Sequence, residues 1–132
     1  MLYALVVASS LHVLTSVFWA GSTITLARAG VTGEKLFAPQ MAAAVIVIVT
    51  GGYLYKSLHE GASGPVEHVL AVGVLSALAA FAIQVLGVGL SMRQLRDSSR
   101  EAGSRSRIVL ANRIAAVLLA VAALAMGGSR YV

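Results

Sequence analysis

Four uninterrupted apolar runs are the feature of this 132-residue chain that most restricts its fold. They cover approximately residues 2–27, 39–58, 65–91 and 108–128. A helix needs about 20 residues to cross the hydrocarbon core of a bilayer, and each run is long enough to do so. The runs are continuously apolar instead of alternating, which argues against a transmembrane β-barrel. The sequence therefore predicts an all-α integral membrane protein with four spans.

The composition supports this interpretation and removes other classes of protein. Hydrophobic residues make up 58% of the chain and charged residues only 11%, against about 45–50% and about 25% in soluble domains. An ordinary soluble enzyme and a disordered protein are both excluded. Cysteine is absent, which excludes thiolate chemistry and iron–sulfur clusters. Short linkers make consecutive helices antiparallel, so residues 1–132 are expected to form a single transmembrane domain, an up-down four-helix bundle.

The basic residues are divided unequally between the two ends of the predicted bundle. Eight lie in or beside the first and third linkers, and two lie at the other end. The eight are Arg28, Lys35, Arg93, Arg96, Arg100, Arg105, Arg107 and Arg113, and the two are Lys56 and Arg130. The positive-inside rule then predicts a bacterial inner-membrane protein with residues 28–38 and 92–107 in the cytoplasm. Both termini and residues 59–64 are expected in the periplasm. We expect the arginines to contact anionic lipid of the inner leaflet, and we do not expect nucleic-acid binding.

Small residues in three spans, at helical spacing in the third and fourth, predict the faces on which the helices pack. They are Gly51 and Gly52 in the second span, Gly73, Ala77, Gly87 and Ser91 in the third, and Ala116, Ala120, Ala123 and Gly127 in the fourth. We expect these faces in the interior of the bundle. Contact with a second copy of the chain, or with a larger membrane complex, is an alternative that the spacing leaves open.

Polar residues in the first span form a stripe of candidate functional residues. Thr15 and Ser16 lie three and four residues after His12, Trp19 lies four and three residues after them, and Ser22 and Thr23 lie three and four residues after Trp19. The residues therefore share a helix face. Ionisable groups at membrane depth are costly, and His12 lies about 15 Å below the outer end of the span. We expect it to bind haem or a metal, or to relay protons. The alternative is a neutral imidazole hydrogen-bonded to the third span, at Ser76 or Gln84.

A second candidate cluster surrounds the outer linker. His59 and Glu60 end the second span, and Glu67 and His68 begin the third. Two imidazoles and two carboxylates suit a first-row divalent metal. The alternative is that they are ordinary solvated polar residues that cap two helix ends. Met126 is a possible soft ligand for copper or haem iron, or a packing residue. His12 and His68 differ in depth by about 12–15 Å, so one haem held by both would be strained. Gln84 and Asn112 are expected to bind helices together.

The stretch LHVLTSVFWAGSTITLARA, residues Leu11 to Ala29, resembles the first-helix signature of two related membrane groups. These are the copper-resistance family CopD and the HemJ-type protoporphyrinogen oxidases, which share a histidine followed seven residues later by Trp, a small residue and Gly. Here these are His12, Trp19, Ala20 and Gly21. The final stretch RIAAVLLAVAALAMGGSRYV is similar to the last helix of small CopD-like proteins. The resemblance implies a compact four-helix protein in which His12 is a ligand of haem b or copper. The HemJ-type lysine of the third helix is absent here, and His68 lies near the start of that span.

Together these features predict an inner-membrane protein that handles a redox metal centre, haem b or copper, near its periplasmic face. His12 is the first candidate ligand, followed by His68, His59 and Met126. Trp19 would pack beside the centre, and Thr15 and Ser16 would tune it by hydrogen bonds. The expected activity is electron transfer, porphyrin oxidation or copper uptake. The alternative is a cofactor-free accessory subunit of a larger membrane complex. Since Glu67, in the first turn of the third span, is the only Asp or Glu within the four apolar runs, a carboxylate-driven pump is not expected.

Overall fold

The structure, a computed structural model, describes residues 2–59, 61, 64–95 and 101–132. Helix α1 covers Leu2–Ala29 and helix α2 covers Glu34–His59. The third span begins as α3, Pro65–Ile83, continues as a π-helix over Gln84–Gly89, and ends as α4, Leu90–Leu95. Helix α5 covers Glu101–Gly128 and ends in a 3₁₀ turn, Ser129–Tyr131. Four helices in these ranges are long and apolar enough to cross a membrane, so the predicted all-α four-helix transmembrane bundle is confirmed.

The helices pack unequally around the bundle. Helix α1 packs against α2 and α5, and α3 packs along α5, whereas α2 and α3 scarcely touch. Small residues allow the close approach of α3 and α5: a Cβ atom on Gly73 would lie 3.3 Å from Cβ of Ala125 and 3.4 Å from the carbonyl oxygen of Ala122. The bundle is therefore tight on the α5 side and open between α2 and α3.

The turn between α1 and α2 is shorter than the sequence prediction of residues 28–38. Helix α2 begins at Glu34 and contains Pro39, so the helix starts five residues before the predicted span 39–58. Two glycines in the left-handed region make the turn, Gly30 at φ 67° and Gly33 at φ 62°. A Cβ atom on Gly33 would lie 2.5 Å from a methyl carbon of Leu26, so the close packing of the turn on α1 requires glycine. The acidic Glu34 then lies in the first turn of the helix, where its charge is favourable.

The fourth span also begins earlier than predicted. Helix α5 starts at Glu101, not near residue 108, and Gly103 of the predicted linker lies inside the helix. A glycine within a helix costs only about 1 kcal/mol, which a 28-residue helix tolerates. The third helix extends beyond its apolar run 65–91, since α4 continues to Leu95.

The small-residue faces are only partly where the sequence analysis places them. Gly73, Ala77 and Ser91 are buried as expected, and Gly51 and Gly87 are half-buried, whereas Gly52 is exposed, contrary to the expectation. In the fourth span the expectation is wrong: Ala120, Ala123 and Gly127 are exposed and Ala116 is only half-buried. The buried face is instead the adjacent one, Ala111, Ala115, Leu119 and Ala122. Both faces of α5 are apolar and rich in alanine, so spacing alone does not distinguish them.

Candidate functional site

The polar stripe of α1 faces the interior of the bundle. Trp19 and Thr23 are almost completely buried, with exposed fractions of 1% and 0%, and His12, Thr15 and Ser16 are half-buried. This orientation agrees with the expectation that polar groups in a membrane span avoid lipid. The stripe contributes to two separate groups of side chains, a cleft beside His12 and a hydrogen-bond network around Trp19.

His12 is held by α2, not by the third span. Its ring nitrogen Nδ1 lies 3.0 Å from the carbonyl oxygen of Val47 and 3.0 Å from Oγ1 of Thr50. The Thr50 hydroxyl donates its own hydrogen at 2.6 Å to the carbonyl of Ile46, so both groups facing Nδ1 accept. The proton of the neutral imidazole is therefore on Nδ1, and the lone pair is on Nε2. The alternative partners for His12, Ser76 and Gln84, do not hydrogen-bond to it.

The second imidazole nitrogen is left available for a ligand. Among the residues that the structure describes, none hydrogen-bonds to Nε2 of His12. Histidines that bind metals usually donate the other ring N–H to a carbonyl or carboxylate, which fixes the tautomer and the orientation of the ring. His12 has this arrangement, because its Nδ1–H is held by α2 and its Nε2 carries the lone pair.

His12 lines a cleft of about 450 Å³ to which all four spans contribute. The wall is otherwise apolar apart from Tyr55, and it includes Val47, Gly51 and Gly52 of α2, Ala71, Val74 and Ala77 of α3, and Met126 of α5. The cleft is located where α2 and α3 scarcely touch. Its mixture of apolar surface and one oriented polar group is typical of small-molecule and cofactor sites.

Two glycines provide the space that the cleft residues occupy. A Cβ atom on Gly51 would lie 2.9 Å from Cε1 of His12, too close for the ring to stay where it is. A Cβ atom on Gly73 would lie 3.3 Å from Cγ of Met126. Thr50 and Gly51, which are consecutive in the sequence, thus supply a hydrogen-bond acceptor for the imidazole and the room for it.

The residues predicted near the outer linker do not join this cleft. His68 is exposed at the start of α3, and His59 stacks on Tyr55, with ring centroids 5.5 Å apart and planes at 19°. Nδ1 of His59 is buried with no hydrogen-bond partner. Glu60 lies outside the described residues. In the part of the chain that the structure describes, no three His, Cys, Asp or Glu residues come together, so His59, Glu67 and His68 do not form a cluster.

Trp19, Thr15 and Ser16 do not line the cleft either. Oγ1 of Thr15 donates to the carbonyl of Leu11 at 2.6 Å, within its own helix. The indole N–H of Trp19 donates to Oε1 of Gln84 at 2.6 Å. The residues that orient His12 are instead Val47 and Thr50. The sequence did not indicate Val47, because its acceptor is a backbone carbonyl that every residue has, nor the Thr50 hydroxyl, because the packing of α2 on α1 brings it to His12.

A buried polar network joins the four spans deeper in the bundle. Gln84 donates from Nε2 to Oγ1 of Thr23 at 3.0 Å and to Oδ1 of Asn112 at 3.4 Å. Gln40 of α2 donates to Oγ of Ser22 at 2.9 Å and to Oγ1 of Thr23 at 3.3 Å. The π-helix starts at Gln84. This network agrees with the expectation that Gln84 and Asn112 bind helices together.

Comparisons with known proteins give no family for this chain: no protein-family model, curated protein or solved structure matches it.

Proposed function

We propose that this chain is a small polytopic inner-membrane protein that holds a redox metal centre, haem b or copper, with His12 as its ligand. The observation that carries the proposal is the pair of acceptors at Nδ1, Val47 O and Thr50 Oγ1, each at 3.0 Å. They leave Nε2 as the basic nitrogen of a residue that lines the cleft. An imidazole that served only as a hydrogen-bonding core residue would not need an adjacent cleft.

The shape and lining of the cleft support haem b. Its volume of about 450 Å³ lies in the range of small-molecule sites, about 300–1,000 Å³. Gly51, Gly52, Ala71 and Ala77 contribute little side-chain bulk to its walls, which leaves room for a flat apolar macrocycle. One imidazole is sufficient to hold haem iron on one side.

The presence of Met126 in the same wall supports copper. A thioether and an imidazole are ligands that Cu(I) accepts in proteins. When bound, haem would supply electron transfer or porphyrin oxidation, and copper would be the cargo of uptake or delivery. In both cases His12 would bind the metal, and Val47 and Thr50 would orient the imidazole ring.

An absorption spectrum of the purified chain, oxidised and then reduced with dithionite, tests the proposal. Metal analysis is made on the same sample, from cells grown with ample iron and copper. A Soret band that shifts on reduction would support haem, and a colourless protein with stoichiometric copper would support copper. Absence of both would refute the redox proposal.

Gly51→Ala is expected to weaken binding of the cofactor because the added methyl group would lie 2.9 Å from Cε1 of His12. The imidazole must move, and disturbance of groups that orient a metal ligand typically costs about 10–100-fold in affinity. Gly103→Ala is the matched control, since Gly103 also lies within a helix, nothing lies within 4 Å of a Cβ atom there, and it does not line the cleft. Titration of both apo variants with haem and with Cu(I) measures the effect. Equal affinities would show that the position of His12 does not matter.

The proposed location is a bacterial inner membrane with both termini in the periplasm, based on the distribution of Lys and Arg. This orientation puts His12 in the periplasmic half of the bilayer, about 15 Å from the start of α1. Because the chain has no cysteine, single cysteines introduced by substitution are unique labels. Gly61→Cys and Tyr131→Cys should react with a membrane-impermeant maleimide in intact spheroplasts, whereas Val31→Cys should react only after permeabilisation. The reverse pattern would invert the topology.

A cofactor-free accessory subunit is the second candidate, and the exposed small-residue face of α5 favours it. Ala120, Ala123 and Gly127 face outward, and small residues allow another membrane helix to approach closely. This proposal predicts that the chain purifies in mild detergent with other subunits and without spectral features. A cofactor at full occupancy in an isolated chain would contradict it.

A further inference from the structure

A second pocket, of about 490 Å³, lies at the opposite end of α1 from His12. The turn after α1 and the first part of α5 form it. Its lining includes Val31 and Thr32 of the turn and Arg105, Ser106, Leu110 and Arg113 of α5. We call it the arginine pocket. It shares no residue with the cleft and does not depend on the function proposed for His12.

Arg113 is held in position at the wall of the arginine pocket. Its Nε donates to the carbonyl of Ala27 at 3.3 Å, at the carboxyl end of α1. Nη2 lies 3.9 Å from the position of a Cβ atom on Gly30, and the terminal nitrogens make no hydrogen bond with the described residues. A guanidinium anchored at Nε and open at its two terminal nitrogens is ready to bind two oxygens of a phosphate group.

The other lining groups match the same chemistry. Arg105 brings a second positive charge to the pocket, and Ser106 brings a hydroxyl donor. Glu34 accepts the Thr32 hydroxyl hydrogen at 3.2 Å but does not itself line the pocket. Beside these groups, Val31 and Leu110 are 50% and 58% exposed. The charged pocket therefore borders apolar surface, which an anion attached to a hydrocarbon chain would cover.

We propose that the arginine pocket is a discrete binding site for the phosphate group of an anionic ligand, held by Arg105 and Arg113. A phospholipid headgroup and a soluble phosphate offer the same group to these arginines. This differs from the diffuse attraction between an arginine-rich linker and anionic lipid, because two particular arginines and a defined cavity are required.

The test measures binding to the full chain in neutral detergent at about 0.15 M salt, where charges more than about 8 Å apart are largely screened. The probes are dioleoyl phosphatidylglycerol in mixed micelles and inorganic phosphate, each titrated and followed by native mass spectrometry and by the rise in Tm. We expect Arg105→Gln combined with Arg113→Gln to weaken binding about 100-fold, since each charge-assisted contact contributes about ten-fold. Arg93→Gln combined with Arg107→Gln is the control, because both arginines are exposed, neither lines the pocket, and the charge change is the same.

Saturable binding of phosphatidylglycerol alone, lost only in the pocket variant, would support the site and identify a lipid headgroup. If inorganic phosphate competes with the lipid, and this competition is lost only in the pocket variant, the result would support the site for soluble phosphates. Equal weakening in both double variants would overturn the proposal in favour of diffuse attraction, and so would the absence of saturable binding. If loss of the Arg113–Ala27 contact prevents folding, Arg105→Gln alone should still weaken binding about ten-fold.

Discussion

His12→Ala is expected to abolish cofactor binding while leaving the four-helix bundle intact. The Soret band, or the stoichiometric copper, should be lost because the substitution removes Nε2 of His12, the imidazole nitrogen proposed to bind the metal. Among the described residues, no other histidine lines the cleft. The bundle should survive because the Thr50 hydroxyl remains bonded at 2.6 Å to Ile46 O and can still reach Val47 O at 3.2 Å. Only the two bonds to Nδ1 are lost.

His68→Ala and His59→Ala are the matched controls for this prediction, since the chain contains three histidines. His68 is exposed and His59 stacks on Tyr55 at the end of α2, so both variants should keep the cofactor. Circular dichroism and thermal unfolding check the fold of all three. Free imidazole should restore the spectrum of His12→Ala by entering the space vacated beside Gly51. A His12→Ala protein with its cofactor at full occupancy would refute the assignment of His12 as ligand.

The fold was predictable because the bilayer imposes a strong and simple requirement on the sequence. Runs of about 20 apolar residues become helices, since a backbone in lipid must satisfy its own hydrogen bonds. The ends of the helices were less predictable. Pro39 and Gly103 are signals for a helix boundary, yet both lie inside helices. Pro39 lies inside α2 because Gly33 and Glu34 already complete the turn before it. Gly103 lies inside α5 because a glycine within a helix costs little.

The rotation of each helix about its axis was predictable only where polar residues mark one face. On α1 the polar stripe identifies the inner face, and His12, Trp19 and Thr23 do point inward. On α5 two adjacent faces carry small apolar residues, and the sequence prediction chose Ala120 and Ala123 where the structure buries Leu119 and Ala122. A membrane helix that is apolar on every side lacks the amphipathic signal that fixes orientation in a soluble protein.

For the candidate site, the sequence pointed to His12 but not to its surroundings. A lone ionisable residue in an apolar run is conspicuous, whereas its partners are a carbonyl of Val47 and a hydroxyl of Thr50. A carbonyl is present at every residue, so only the packing of α2 on α1 selects this one. The same holds for Met126, whose position in the cleft depends on close contact of α5 with Gly73.

Gln84→Leu is expected to destabilise the bundle by about 2–3 kcal/mol, as estimated from unpaired polar groups and from hydrogen bonds measured in membranes. Gln84 accepts from Trp19 at 2.6 Å and donates to Thr23 at 3.0 Å and Asn112 at 3.4 Å, so it links α1, the third span and α5. Leucine would leave the Trp19 N–H without a partner in a region closed to water. Equilibrium unfolding in mixed micelles measures the loss.

Asn112→Leu is the matched control, because it removes a polar side chain from the same network with a different expected result. Nδ2 of Asn112 is buried and already has no partner, and its Oδ1 accepts only the 3.4 Å contact from Gln84. Replacing a group that is unpaired in the folded state by an apolar one of similar shape is nearly neutral. We therefore expect a change below about 1 kcal/mol in either direction. Equal destabilisation by the two substitutions would show that packing volume, and not the hydrogen bond from Trp19 to Gln84, holds the centre of the bundle together.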